Sequence, residues 1–265
     1  MVSLSDFATV AAGGLVGAIL GLIGGGGSVL AVPLLVYGVG VSSPHVAIGT
    51  SAIAVSISAL ANLIAHARSG NVKWPCAFVF TIAGMIGAFA GSTVAKLIDG
   101  HRLLTLFGVL MSVVGGAMLR TPRRPERHDV RLTPASAGRL APPLVAMGLG
   151  VGALSGFFGI GGGFLIVPGV IAATGMPMLS AVGTSLVSVS AFGATTAANY
   201  ALSGLIDWRI AALFVAGGLA GGALGVKLGG SLSRRKSALR LVFGVAVVLV
   251  GLYVTARGVF GPTTG

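Results

Sequence analysis

Residues 7–67 and 140–206 contain no Lys, Arg, Asp or Glu, and charge-free runs of that length leave few folds open to a chain. One helical crossing of a lipid bilayer takes ~20 apolar residues, so each run holds at least two spans. Shorter charge-free runs follow at 74–95 and 103–119, and again at 210–226 and 241–256, so the two halves of the chain share one plan. The sequence is 8% charged, with a mean hydropathy of +1.01. Soluble domains carry ~25% charged residues, so lipid is the solvent here.

Inside the apolar sequence a glycine cluster occurs twice. Gly21-Leu-Ile-Gly-Gly-Gly-Gly-Ser-Val-Leu-Ala-Val-Pro33 returns without a gap as Gly156-Phe-Phe-Gly-Ile-Gly-Gly-Gly-Phe-Leu-Ile-Val-Pro168. Ala47-Ile48-Gly49-Thr50-Ser51 likewise returns as Ala181-Val182-Gly183-Thr184-Ser185, Ser69–Trp74 as Ser203–Trp208, and Phe107-Gly108-Val109 as Phe243-Gly244-Val245. The duplication covers roughly 13–119 and 148–255. It divides the chain into a first membrane repeat (1–119), an Arg- and Pro-rich connector (120–141) and a second membrane repeat (142–265). Paired breaks at matching places in two halves are a mark of transporters built from repeats.

Hydropathy and helix breakers predict an all-α polytopic protein. Its helices are expected over 6–23, 28–40, 45–67, 74–97 and 102–119, and over 142–158, 163–174, 178–202, 208–230 and 237–257. The second helix of each half is too short to cross: at ~1.5 Å per residue it falls well below the ~30 Å hydrocarbon core. Each is read as a glycine-broken or re-entrant helix.

Charge decides between topologies. If the segments flanking each glycine cluster form a hairpin, each half makes an odd number of net crossings and the repeats are inverted. Arg68, Lys73, the connector residues Arg120, Arg123, Arg124, Arg127, Arg131 and Arg139, and Lys227, Arg234, Arg235, Lys236 and Arg240 then share one face. Lys96, Arg102, Arg209 and Arg257 are left on the other. This is the more asymmetric of the two distributions, and it makes the basic connector cytoplasmic in a multi-pass protein of the inner (plasma) membrane. The net charge of +12 is absorbed by the same rule, so nucleic acid is not an expected partner. The N-terminus lacks a basic n-region, so a cleaved signal peptide is not expected. A lone Cys76 excludes an intrachain disulfide framework and a multi-cysteine metal site.

The doubled Gly-(Leu/Phe)-(Ile/Phe)-Gly-x-Gly-Gly pattern, running into a Pro-ended helix and followed by a Gly-Thr-Ser helix, resembles the sulfite exporter TauE/SafE family of membrane transporters over essentially the whole chain. The resemblance implies a small permease of two homologous halves that exports or takes up sulfur-containing anions such as sulfite and organosulfonates. The copies differ at Gly25 against Ile160 and at Ser28 against Gly163, so their turns need not have equal roles.

The residues point the same way. A helix that restarts inside the membrane offers up to four unpaired N–H groups and about half a positive charge at its N-terminus. Gly26, Gly27 and Ser28, with Gly161, Gly162 and Gly163, are therefore candidate anion cradles. The competing reading is that these glycines only permit a tight turn and close helix packing. Thr50, Ser51, Thr184 and Ser185 are candidate donors to the anion, set against intrahelical bonding of their hydroxyls one turn back. Ser58 and Asn62 lie on the same helical face as Ser51. His66 stands beside Arg68 near a loop and reads first as an interfacial histidine, with a proton relay as the lesser alternative. Asp207 and Lys73 start matching helices and read as caps or interface anchors beside Trp208 and Trp74. No acidic residue occurs in the charge-free runs to build a proton relay.

The function expected is transport of a small, sulfur-containing anion by alternating access. A passive anion channel is the alternative, and an integral membrane enzyme a weaker one, because no catalytic constellation or P-loop is found. No cofactor and no metal is expected. The partners are the small anionic substrate and membrane lipids, and self-association into a homo-oligomer is left open.

Overall fold

The computed structural model describes residues 4–23, 25–120, 134–161, 163–231 and 236–260, and every regular element among them is helical. The first half comprises α1 (Leu4–Ile23), a 3-10 turn (Gly25–Leu30), the single turn α2 (Ala31–Pro33), a π turn (Leu34–Val39), α3 (Pro44–Arg68), α4 (Trp74–Ala95) and α5 (Gly100–Arg120). The second comprises α6 (Pro134–Phe158), α7 (Gly163–Thr174), α8 (Met178–Ala201), α9 (Trp208–Ser231) and α10 (Lys236–Phe260). Eight of these helices are long and apolar enough to cross a membrane, while Gly26–Val39 and Gly163–Thr174 are too short. Trp74 and Trp208 stand partly exposed at the starts of α4 and α9, as interfacial aromatics do.

Two segments depart from expectation: the helix expected over 28–40 is broken into 3-10, α and π turns, and α6 starts early. α6 begins at Pro134, well before the predicted 142, and runs through Pro142 and Pro143. A proline inside a helix strips the carbonyl four residues earlier of its amide partner. Here those carbonyls belong to Gly138 and Arg139, both exposed, so other donors can reach them. Most of the connector, 121–133, lies outside the described residues.

Glycine determines which helices meet. A methyl group at Gly13, Gly17 or Gly21 of α1 would come closer than 3.0 Å to the main chain of Phe214, Gly218 or Gly222 of α9. The partners advance together, so α1 and α9 run in the same direction. Gly148, Gly152 and Gly156 of α6 meet Phe80, Gly84 and Ala88 of α4 in the same way. Lipid tails are as apolar as side chains, so association in a membrane depends on such close packing. Each half therefore lends its first helix to the fourth helix of the other half.

Two further pairs join equivalent helices. In α3 and α8, the most buried spans, Ser56 Oγ donates to the Ser190 carbonyl at 2.6 Å and Gly193 faces Ala52, so the two run in opposite directions. In α5 and α10, Gly108 faces Thr255 and Gly115 faces Val248, again antiparallel.

Candidate functional site at the glycine turns

The second glycine turn lies at mid-depth of the bundle. Gly159 and Gly161 have φ of +65° and +60°, a left-handed conformation that costs other residues ~1–2 kcal/mol. With these two bends the chain leaves α6 and restarts as α7 at Gly163. A methyl group at Gly161 would lie 2.9 Å from Val55 Cγ1 and 3.3 Å from Val189 Cγ1. Both valines stand halfway along their helices, α3 and α8. Gly161 and Gly163 are buried there, and Gly162 lies outside the described residues.

The first turn is built differently. Gly26, Gly27 and Ser28 are buried in the 3-10 turn, and none of them has a positive φ. Gly27 is pressed on α1, where a methyl would come 2.7 Å from the Leu20 amide nitrogen. The restart that follows changes from 3-10 to α to π instead of forming one α-helix. This turn, Gly25–Leu30, packs against α7 and α8, so it is brought to the element that Gly163 begins.

The Gly-Thr-Ser segments do something local pattern does not reveal. Thr184 Oγ1 accepts from the backbone N–H of Lys73 at 3.0 Å, and Thr50 Oγ1 accepts from that of Asp207, also at 3.0 Å. The glycines before them admit the same loops: Gly49 faces the Leu205 carbonyl and Gly183 the Asn71 carbonyl. Each motif thus holds the loop entering the fourth helix of the other half. Ser51 Oγ donates to the Ile48 carbonyl at 2.9 Å and reaches the Gly159 carbonyl at 3.3 Å. Ser185 Oγ donates to Val182 at 2.8 Å. Of the four hydroxyl residues, Ser51 is the one that a described hydrogen bond joins to a glycine turn.

Further polar groups line the interior. Thr81 and Ser188 share a hydrogen bond of 2.7 Å, and the hydroxyls of Ser155 and Thr196 are buried without a partner. Sequence reasoning missed Ser155, although a hydroxyl directly ahead of the repeated glycine stretch was the available signal. Ser58 and Asn62 face α9, and His66 Nδ1 is buried without a partner.

The described carboxylates all sit at helix ends. Asp6 pairs with Arg209 at 2.8 Å, Asp207 Oδ1 caps α9 by accepting from Ile210 N–H, and Asp99 Oδ1 caps α5 through His101 and Arg102. Lys73 makes no such side-chain cap. Among the described residues no cluster of His, Cys, Asp and Glu could hold a metal ion. None of the described carboxylates lies in either glycine turn.

Spanning helices arranged around two short helices that end inside the bundle define a multi-pass membrane protein of the transporter class. The model of the family described as Sulfite exporter TauE/SafE matches residues 9–254, and the chain belongs to that family. It is 52% identical over 252 residues to a probable membrane transporter protein of Xylella fastidiosa, covering 94% of each chain. It is 28% identical to the probable membrane transporter protein YunE of Bacillus subtilis, covering 95% of this chain and 97% of that one. No solved structure matches the chain. Family and relatives point to a membrane transporter.

Proposed function

We propose that the protein carries a small, sulfur-containing oxyanion such as sulfite or an organosulfonate across the membrane, by alternating access between inverted halves. The carrying observation is that α7 starts at mid-depth of the bundle with the glycine turn of the other half packed against it. Main-chain N–H groups at the two restarts, at Gly26 and Gly27 and at Gly161 and Gly163, would bind the anion, and Ser51 and Ser185 would supply hydroxyls. Val55 and Val189 leave no room for a Cβ at Gly161, which fits a closed state that must open to load. The antiparallel course of α3 against α8 and of α5 against α10 supports inversion, because a helix and its repeat copy point opposite ways. On this reading the basic connector is cytoplasmic.

Flux into proteoliposomes tests the proposal. Sulfite uptake should saturate, organosulfonates should compete with it, and labelled sulfite should exchange against internal unlabelled sulfite. Flux that rises linearly with concentration and shows no exchange would make the protein a channel. Saturable uptake of an organic cation with no response to any sulfur oxyanion would reject the substrate class.

A further inference from the structure

A groove of about 370 Å³ runs between α3 and α9, on the lateral surface of the bundle. Ser58 and Asn62 line its depth together with Gly218 and Gly222, Ile64 and Leu219 form its lips, and Arg68 and Lys227 stand at one end. Ser58 faces Gly218 and Asn62 faces Gly222, so the helices advance together and the two cations fall at the same end. The lining contains no Asp or Glu, and among the described residues neither cation has an ion-pair partner. Asn62 is 5% exposed, and its Nδ2 has no hydrogen-bond partner. Buried amide donors are nearly always paired, so this one marks a place where an acceptor is expected.

The repeat supplies an internal comparison. At the spacing set by Thr50 and Thr184, Ser58 corresponds to Phe192, Asn62 to Thr196, Arg68 to Leu202, Gly218 to Gly84 and Lys227 to Thr93. Phe192 is fully buried, with its ring laid against Gly84 and stacked on Phe80 at 6.2 Å. The matching place in the other half is therefore filled by Phe192, and the cation at its end, Lys96, is already engaged by Asn199 and Ser203. The groove arises from side chains particular to one copy, not from the fold itself.

Its occupant is indicated by where it opens. Ile64 and Leu219 are 52% and 42% exposed on the apolar outer surface, which lipid covers, and the two cations gather at one end of the helices. Basic pockets between membrane helices suit anionic head groups. We propose that this groove holds one anionic phospholipid. Its phosphate lies between Arg68 and Lys227, an ester carbonyl accepts from Asn62 Nδ2, and an acyl chain follows Ile64 and Leu219. This site is independent of the transport reading.

Native mass spectrometry of the full chain in a mild detergent, titrated with palmitoyl-oleoyl phosphatidylglycerol or the matching phosphatidylcholine, tests it. The wild type should hold one phosphatidylglycerol in preference to phosphatidylcholine. Arg68→Gln with Lys227→Gln should weaken that binding about thirtyfold, each surface charge contributing roughly a fivefold share. Ser58→Phe, which brings the Phe192 arrangement into the groove, should abolish the first adduct, and Arg102→Gln at the start of α5 should leave it unchanged. Both charged residues are exposed, so the double variant decides the matter even if Ser58→Phe fails to fold. Equal retention of the two lipids, unchanged binding in the double variant, or displacement of the adduct by millimolar sulfite would overturn the proposal, the last by making the ligand a free oxyanion.

Discussion

Thr184 accepts a hydrogen bond from the main-chain N–H of Lys73 at 3.0 Å, and the repeat copies of these residues, Thr50 and Asp207, make the same bond at the same distance. The most conspicuous hydroxyls of the motif are thus acceptors that hold one half on the other. Their proximity to the glycine turns in sequence comes from their place on α3 and α8. The bond itself constrains what their substitution should do.

Thr184→Val keeps the side-chain shape and leaves the Lys73 N–H without its acceptor, which is expected to cost about 1–3 kcal/mol. Thermal unfolding in detergent should show the loss, Thr184→Ser should recover most of it, and Thr50→Val should behave alike. A Thr184→Val protein that melts normally yet binds substrate more weakly would instead make the hydroxyl a ligand.

Gly161→Leu forces a left-handed conformation and a collision with Val55 Cγ1, 2.9 Å from where its Cβ would lie. Transport should fall to background in protein that remains monodisperse. A methyl group at Gly116 would meet nothing within 4 Å, so Gly116→Leu should transport as the wild type does. Unchanged affinity and rate in a folded Gly161→Leu protein would remove this turn from the binding site.

Ser69 and Ser203 are repeat equivalents, both exposed in the loops after α3 and α8. In a Cys76→Ala background, single cysteines at these positions should react with a membrane-impermeant maleimide from opposite sides. Labelling of both from one side would mean parallel repeats.

Gly17→Val and Gly152→Val each place branched carbons where helix backbones touch, in the α1/α9 and α4/α6 crossings. Overpacking of this kind costs typically ~1–3 kcal/mol, and near main-chain atoms more. Both variants should melt markedly lower or aggregate on size exclusion, whereas Gly150→Val, at an open position, should do neither.

Legibility in the sequence followed the range of the forces involved. Charge-free runs and breakers place α3, α4, α7, α8 and α9 within a residue of their starts, because hydropathy and helix geometry act locally. The early start of α6 was hidden because Pro142 and Pro143 stand where the helix was expected to begin, at 142, and they are tolerated inside it where Gly138 and Arg139 are exposed. The Thr184 to Lys73 bond joins residues 111 apart, and nothing in either segment alone announces it. The same holds for the groove, since Ser58 differs from Phe192 in an ordinary way until Gly218 is seen opposite one and Gly84 opposite the other. The contrast between the turns was partly legible: Gly25 and Ser28 in place of Ile160 and Gly163 accompany a first turn without the left-handed glycine seen at Gly161.

The exchange of helices between halves has a consequence for how the chain is made. The glycine faces of α1 and α4 find their partners in α9 and α6, all of them synthesised after the connector. During translation the finished first half must therefore wait in lipid with two bare seams. With the halves inverted as proposed, a first half released early would find a partner for those seams in another first half inserted upside down.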